Sequence, residues 1–304
     1  MFDILIDKLQ NDTYITLETT PGHSAQFAPT VDKIEALGLQ NLVDGFSTTD
    51  NPLAKLKYNS LFAAKMLQDR FNKPVIATMS MRDRNKIALQ SDLLGANEVD
   101  IRAILALTGD PATISDQPHA KGVFEADSTL LLDIISAFNS GMNFAGKPLA
   151  VAPKEIYPFA VVNSFAKNPK TLQKKMQKKI KHGARGIITQ PVYDEEGAKR
   201  LLELKESANK ECCSESKSTE LILGVFPITK LRTAQFLSAH VPGIHVPDSW
   251  IEALRKANAN GGVEEEYKVG FELSKNLFDN LKVLHPKLHL MTANQFSVAH
   301  DILV

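Results

Sequence analysis

Two carboxylates in this chain of 304 residues stand where apolar runs end. Glu18 closes the β-rich run Tyr14–Glu18, and Asp110 follows Ile104–Leu107 across a short turn that contains Gly109. In parallel α/β proteins, the loops at the carboxyl ends of the strands converge on ligands. Two carboxylates sharing a low-dielectric pocket there could give one of them an acid role. The alternative is two ordinary ionised loop carboxylates, with Asp110 only stabilising its turn.

Three further features fit a ligand that is flat and carries phosphate. Gly109 has no Cβ, so a flat ligand could lie against its backbone. Phe124, in the long polar stretch 112–127, could stack on a ring; the alternative is that it packs within the loop. The Lys-rich stretch 168–183 is typical of a helix with a solvated face. Lys178 or Lys179 is the best candidate to reach a phosphate from it.

Most of the residues that follow the predicted strands are polar. This set contains carboxylates, amides and hydroxyls but no His/Cys cluster, which argues against a bound transition metal and against Ser-His-Asp catalysis. Its members are Glu18, Thr49 with Asp50, Ser80, Asp110, Asn163, Gln190, Thr229 and Thr292.

Short β-rich runs alternate regularly with helical patterns along the whole chain. Eight such runs occur, and no polar linker interrupts them, which favours one closed parallel barrel over an open two-domain sheet. We therefore expect residues 1–304 to form a single (β/α)8 TIM barrel. The predicted strands are 14–18, 42–47, 74–80, 104–110, 159–163, 186–191, 221–227 and 288–292.

Composition narrows the class of partner. Lys+Arg and Asp+Glu are equal at 35 each, so no net charge favours nucleic acid or an anionic membrane. Cys212 and Cys213 are adjacent, which suits neither a disulfide framework nor a metal site and predicts a reducing, cytoplasmic setting. The N-terminus does not read as a signal peptide, and no apolar run reaches the roughly 20 residues of a membrane span. We expect a small-molecule ligand.

Four separated blocks of the chain resemble the methylenetetrahydrofolate reductase family. They are ATMSMRDRNKIALQSDLLGANEVDIRAILALTGDP, GVFEADS, HGARGIITQPVYD and GVFPITKLRTAQFLSAHVPGIHVP. The resemblance runs from about Tyr14 to the C-terminus and is greatest to the branch whose reductase domain is fused elsewhere to a homocysteine methyltransferase.

The resemblance implies a flavin-containing (β/α)8 barrel of one-carbon metabolism. NADH or NADPH would reduce FAD, and the hydride would pass to 5,10-methylenetetrahydrofolate to give 5-methyltetrahydrofolate. Glu18 of LETTPG matches the family's acid, which assists opening of the folate's five-membered ring. Asp110 of TGDP matches the carboxylate beside the pyrimidine end of the flavin, where it would tune the flavin's potential.

The resemblance also assigns binding residues, with two departures. It implies cofactor contacts at Thr49, Thr78, Gly109, Asp110, Phe124, Asn163 and Lys179, and substrate contacts at Gln190 and Leu231. Thr78 stands where a His is common, and Thr19-Thr20-Pro21 replaces the FPP or DPP that often follows the acid. These departures affect one flavin contact and the loop around Glu18.

Two other functions stay open at this point. One is a flavin-free, pterin-dependent methyltransferase on the same barrel, and the other is a non-catalytic folate- or flavin-binding subunit of a complex. The sequence contains no GxGxxG motif and leaves the choice between NADH and NADPH open. It also leaves the oligomeric state open, and a homo-oligomer is one of the alternatives.

Overall fold

Eight parallel strands pair in sequence order, and the last strand pairs with the first to close the sheet. The structure is a computed structural model, and it describes residues 1–212 and 218–304. The prediction of a single (β/α)8 barrel is confirmed. The strands are β1 (Tyr14–Thr19), β2 (Gly45–Thr48), β3 (Val75–Ser80), β4 (Ala103–Leu107), β5 (Tyr157–Val162), β6 (Gly186–Pro191), β7 (Glu220–Val225) and β8 (Lys287–Leu290). Cys213, one of the adjacent cysteines, lies outside the described residues.

Ten α-helices surround or cap the strands within the described ranges. They are α1 (Phe2–Asn11), α2 (Ala28–Ala36), α3 (Ser60–Phe71), α4 (Lys86–Glu98), α5 (Thr129–Asn139), α6 (Pro169–Lys181), α7 (Glu195–Cys212), α8 (Leu231–His240), α9 (Asp248–Leu284) and α10 (Phe296–Leu303). None of the helices in this part of the chain combines the length and apolar character needed to cross a membrane.

Several strand boundaries differ from the prediction. β2 begins at Gly45 rather than at Leu42, and β4 ends at Leu107, so Asp110 lies in the loop beyond the strand. The reason at β4 is local, because Gly109 adopts φ +91°, a left-handed conformation that ends extended backbone. Glu18 does not end its strand, which continues to Thr19.

Side chains alternate between the two faces of each strand, as the pleat requires. One face packs against the surrounding helices in the main apolar core. The other face forms a smaller cluster inside the barrel. Its strand members include Tyr14, Ile76, Ala103, Leu105, Tyr157, Phe159, Ile188 and Ile222.

The N-terminal segment forms a helix that the sequence analysis did not predict. Phe2, Leu5 and Leu9 of α1 are buried against the interior cluster, at the end where the strands begin. Burying an apolar side chain of this size contributes about 1.5–3 kcal/mol. The helix therefore fills the bottom of the barrel and leaves the opposite end for a ligand.

The connection between β7 and β8 contains two helices. α8 and α9 lie in sequence between these strands, and α9 contains a break at Gly262, which has φ +69°. This break separates the two helical stretches that the sequence predicts there.

Candidate functional site

The candidate site lies at the mouth of the barrel, where the carboxyl ends of the strands meet. Alternation along β1, β3 and β6 directs Glu18, Thr78 and Gln190 to the same side as the interior cluster. Because the barrel is closed and all-parallel, Asp110 after β4 belongs to the same end as Glu18. The two predicted carboxylates therefore lie at the same end of the barrel.

Glu18 has a histidine partner that crosses from β8. The Glu18 Oε2 atom lies 3.9 Å from His289 Nε2, and the Glu18 side chain retains 23% exposure while His289 is buried. The other ring nitrogen, Nδ1, forms a 2.8 Å hydrogen bond with the Thr16 hydroxyl. Ser47 Oγ lies 3.5 Å from Nε2. The imidazole is therefore fixed from β1 and β2, and it limits where the Glu18 carboxylate can move.

The loop after Glu18 is held by an asparagine from the opposite end of the chain. Asn294 Oδ1 accepts a 2.9 Å hydrogen bond from Thr20 N–H, and Asn294 Nδ2 donates a 2.6 Å bond to the Thr20 carbonyl. Asn294 has φ +63°, a left-handed conformation that Asn tolerates better than most residues. The Thr19-Thr20 departure from the family pattern is thus accommodated in a loop with a defined anchor.

Asp110 lies beside a buried arginine and a tight glycine turn. An added Cβ on Gly109 would be 3.0 Å from Arg82 Cβ and 3.2 Å from Ser80 Cβ, so a side chain there would crowd both. Hydrogen bonds to Asp83 raise the pKa of Arg82, and the charges of Asp50 and Asp110 add to that effect. Asp110 itself accepts a 2.6 Å hydrogen bond from Leu53 N–H.

Three hydroxyls at the mouth are buried without a hydrogen-bond partner within residues 1–212 and 218–304. They belong to Thr49, Ser80 and Thr292, which follow or end β2, β3 and β8. An unsatisfied buried hydroxyl costs free energy. Polar groups of a bound ligand would supply the missing partners.

Asp50 through its carboxylate, and Thr78 through its backbone carbonyl, form hydrogen bonds with the scaffold. Asp50 is buried and accepts hydrogen bonds from Ser80 N–H at 2.8 Å and Arg84 Nη1 at 2.6 Å. Thr78 is buried in β3, and its carbonyl accepts a 2.7 Å hydrogen bond from the Ser60 hydroxyl. Asp50 thus joins the exits of β2 and β3.

The two adjacent lysines of α6 have different surroundings. Lys178 is exposed and donates a 2.5 Å hydrogen bond to Asp127. Lys179 is partly buried and donates to the Ser128 hydroxyl, and the Ser128 N–H in turn bonds Thr108 Oγ1 at 3.2 Å, directly after β4. Burial lowers the pKa of Lys179, with Asp127 opposing this shift. Lys179 therefore extends towards the exit that carries Asp110.

Phe124 belongs to a loop that docks on the exit of β3. Its N–H donates to the Met81 carbonyl at 3.2 Å, and Val123 N–H donates to the Arg82 carbonyl at 2.6 Å. Phe124 has φ +40°, and its ring lies over Gly122, where an added Cβ would be 2.1 Å from a ring carbon. The ring remains 37% exposed, which leaves a face for a ligand.

Asn163 and Leu231 are held by neighbours on the other side of the mouth. Asn163 lies against Gly243, where an added Cβ would be 2.0 Å from Asn163 Nδ2. Leu231 is the first residue of α8, and its N–H donates to the buried Glu266 carboxylate of α9. Asn258 donates to the second oxygen of Glu266 at 2.9 Å.

The sequence analysis missed His289, Arg82 and Asn294. The sequence does carry a signal for His289. Alternation along the apolar run Leu288–Thr292 places this histidine on the face of β8 that points into the barrel. Arg82 and Asn294 form hydrogen bonds with backbone groups of segments that are distant in the sequence, and no local pattern predicts such bonds.

The fold and the mouth define a (β/α)8 barrel, the class of protein in which ligands bind at the carboxyl ends of the strands. Comparison with known families is consistent with this class. The profile of the family described as methylenetetrahydrofolate reductase matches residues 5–304, and the chain belongs to that family.

Two individual proteins are similar to the chain. "Methylenetetrahydrofolate reductase 2" of Schizosaccharomyces pombe is 26% identical over 244 residues, which is 77% of this chain. The match spans only 36% of that relative's length. A solved structure from Clostridium thermocellum, described as an uncharacterized protein that binds two copies of 5-methyl-5,6,7,8-tetrahydrofolic acid, has a TM-score of 0.62. It is 14% identical and covers 99% of this chain and 97% of its own, so it supports the fold alone.

Proposed function

We propose that this protein reduces 5,10-methylenetetrahydrofolate to 5-methyltetrahydrofolate with FAD and NADH or NADPH. Membership of the reductase family supports this proposal, and the observation that carries it is the Glu18–His289 pair at the inward face of the mouth. The partly exposed Glu18 carboxyl group lies beside a buried imidazole, and its protonated form would be placed to give a proton to a ligand in the mouth.

The residues at the mouth fit a flavin. The unpartnered hydroxyls of Thr49 and Ser80 would bind its polar edge, and the Gly109 turn would let the ring lie near the backbone. Phe124 would contact the ring, and Lys179 would approach the phosphates. When bound, FAD would supply the hydride chemistry between the nicotinamide and the folate.

Glu18 would act as the general acid for the folate. It would donate its proton to the ring nitrogen that leaves as the methylene bridge opens, and the electron pair of the broken C–N bond would stay on that nitrogen. His289 would hold the carboxylate in place through the contacts with Thr16 and Ser47. Gln190 and Leu231 would orient the pterin and the remainder of the substrate, which lowers the entropy cost of reaction.

The test is Glu18→Gln, with the exposed Glu264→Gln of α9 as the matched control. The purified protein should be yellow, and NADH should bleach the flavin in all three proteins at similar rates. Reoxidation by methylenetetrahydrofolate should slow about 10²–10⁴-fold in Glu18→Gln alone, the usual cost of losing a placed general acid. Unchanged reoxidation would refute the role of Glu18. A colourless protein that takes up no FAD would favour the flavin-free alternative.

A further inference from the structure

Residues 51–54, which follow β2 and which we call the 51–54 loop, have an unusual backbone. Asn51, Leu53 and Ala54 adopt φ of 46°, 56° and 55°, the left-handed region that side-chain-bearing residues rarely occupy. No glycine relieves this strain. Such a conformation persists only where the surroundings hold it in place.

Three hydrogen bonds from separate segments hold the 51–54 loop. Asp110 Oδ2 accepts from Leu53 N–H at 2.6 Å, and an Arg82 guanidinium nitrogen donates to the Asn51 carbonyl at 3.0 Å. The Ser115 hydroxyl donates to the Ala54 carbonyl at 2.7 Å. Arg82 lies at the exit of β3, and Asp110 and Ser115 both lie in the connection that follows β4, so the 51–54 loop is tied to two neighbouring connections of the mouth.

Asp110 differs from the other two partners. It is the one that accepts a hydrogen bond from the loop, and its negative charge, like the positive charge of Arg82, makes the bond stronger than a neutral one. Its backbone position is fixed by the φ of Gly109 and by the contacts of that turn with Arg82 and Ser80. A short charge-assisted bond from a fixed position can offset the strain in the loop.

We infer that Asp110 is a positioning residue, which holds the 51–54 loop in its left-handed form next to Thr49. Only the consequence for FAD rests on the proposed function, because the loop contact joins two residues of this chain. Asp110 then has two separable properties: an oxygen that accepts from Leu53, and, under the proposed function, a charge that would lie near the flavin. Asn at this position keeps the oxygen and removes the charge, whereas Ala removes both.

The first experiment measures hydrogen–deuterium exchange at the Leu53 amide in the flavin-free protein. Loss of a charge-assisted bond in Asp110→Ala should accelerate exchange about 10- to 100-fold. Asp110→Asn should accelerate it less, about threefold, because a neutral oxygen is a weaker acceptor. Asp279→Asn, an exposed carboxylate on α9, is the matched control and should change nothing. An unchanged Leu53 amide in both Asp110 variants would overturn the inference; Asp110→Asn alone decides it if Asp110→Ala does not fold.

The second experiment measures the dissociation constant for FAD. Asp110→Ala should weaken binding about 10-fold or more, and Asp110→Asn should recover most of that loss. Adding Leu53→Gly to Asp110→Ala should also recover part of it, because glycine takes a left-handed φ without strain and the Leu53 side chain is 52% exposed. No rescue by either change would contradict the positioning role. If the wild-type protein bound no FAD, the proposed function would fail while the exchange result still decided the loop contact.

Discussion

Replacing Lys179 by methionine separates ligand binding from folding at this site. Methionine keeps an unbranched apolar stem of similar length and removes the ammonium group. A hydrogen bond to a charged group contributes about 1.5–3 kcal/mol, so losing one phosphate contact should raise the FAD dissociation constant roughly 10- to 150-fold. Lys178→Met is the matched control, because Lys178 is exposed and its pair with Asp127 is a surface ion pair worth about 0–1 kcal/mol.

The same substitution should cost the flavin-free protein little stability. Burial lowers the pKa of Lys179, so the charged form is less favourable in the folded than in the unfolded protein. Removing the charge relieves that penalty, and the lost bond to Ser128 opposes the gain. We expect the free energy of unfolding to stay within about 1 kcal/mol of wild type near neutral pH.

The difference in unfolding free energy between the wild-type protein and Lys179→Met should depend on pH. A lysine whose folded pKa lies below its unfolded value of 10.5 makes folding more favourable as pH rises from the folded pKa towards 10.5. Relative to Lys179→Met, the wild-type protein should therefore gain stability across that window.

Calorimetric titration with FAD and urea unfolding at several pH values measure both effects. The reasoning would be refuted if Lys178→Met weakened FAD binding as much as Lys179→Met. A large loss of stability in the flavin-free Lys179→Met protein would also contradict it.

Two further substitutions test the surroundings of Glu18. His289→Leu removes the contacts with Glu18 and Thr16. Stopped-flow absorbance should show that reoxidation of the flavin by the folate slows at least tenfold, while NADH still reduces the flavin at its normal rate. Equal slowing of both half-reactions would instead indicate general damage to the barrel. Asn294→Gly removes both hydrogen bonds to Thr20 but tolerates φ +63°, so the free energy of unfolding in urea should fall by about 1–3 kcal/mol. An unchanged midpoint would mean that the Thr20 loop does not need this anchor.

Much of the architecture could be predicted from local patterns. The apolar runs of β3, β4 and β6 are buried on both faces, which is the pattern of strands in a parallel sheet covered by helices. Strand limits were less well predicted, since Gly109 ends β4 through its φ and not through its hydropathy. The N-terminal helix α1 was missed although Phe2, Leu5 and Leu9 have helical spacing, and only the fold shows that this face fills the bottom of the barrel.

The residues of the candidate site could also be predicted only in part. The polar residues after the strands could be named in advance because a parallel barrel collects its strand ends at one edge. Their partners could not. The contacts between Glu18 and His289, Asp110 and Leu53, and Lys179 and Ser128 each join segments that are far apart in the chain.

The sequence by itself determined the eight-fold alternation of strand and helix, and thus which residues lie at the mouth. Hydrophobic periodicity is a local property, so it needs no knowledge of the folded chain. Only the tertiary structure decided that a histidine holds Glu18, that Asp110 is bonded to a strained loop, and that Lys179 rather than Lys178 points inward. Hydrogen bonds and burial depend on distances across the barrel, and closure of the sheet sets those distances.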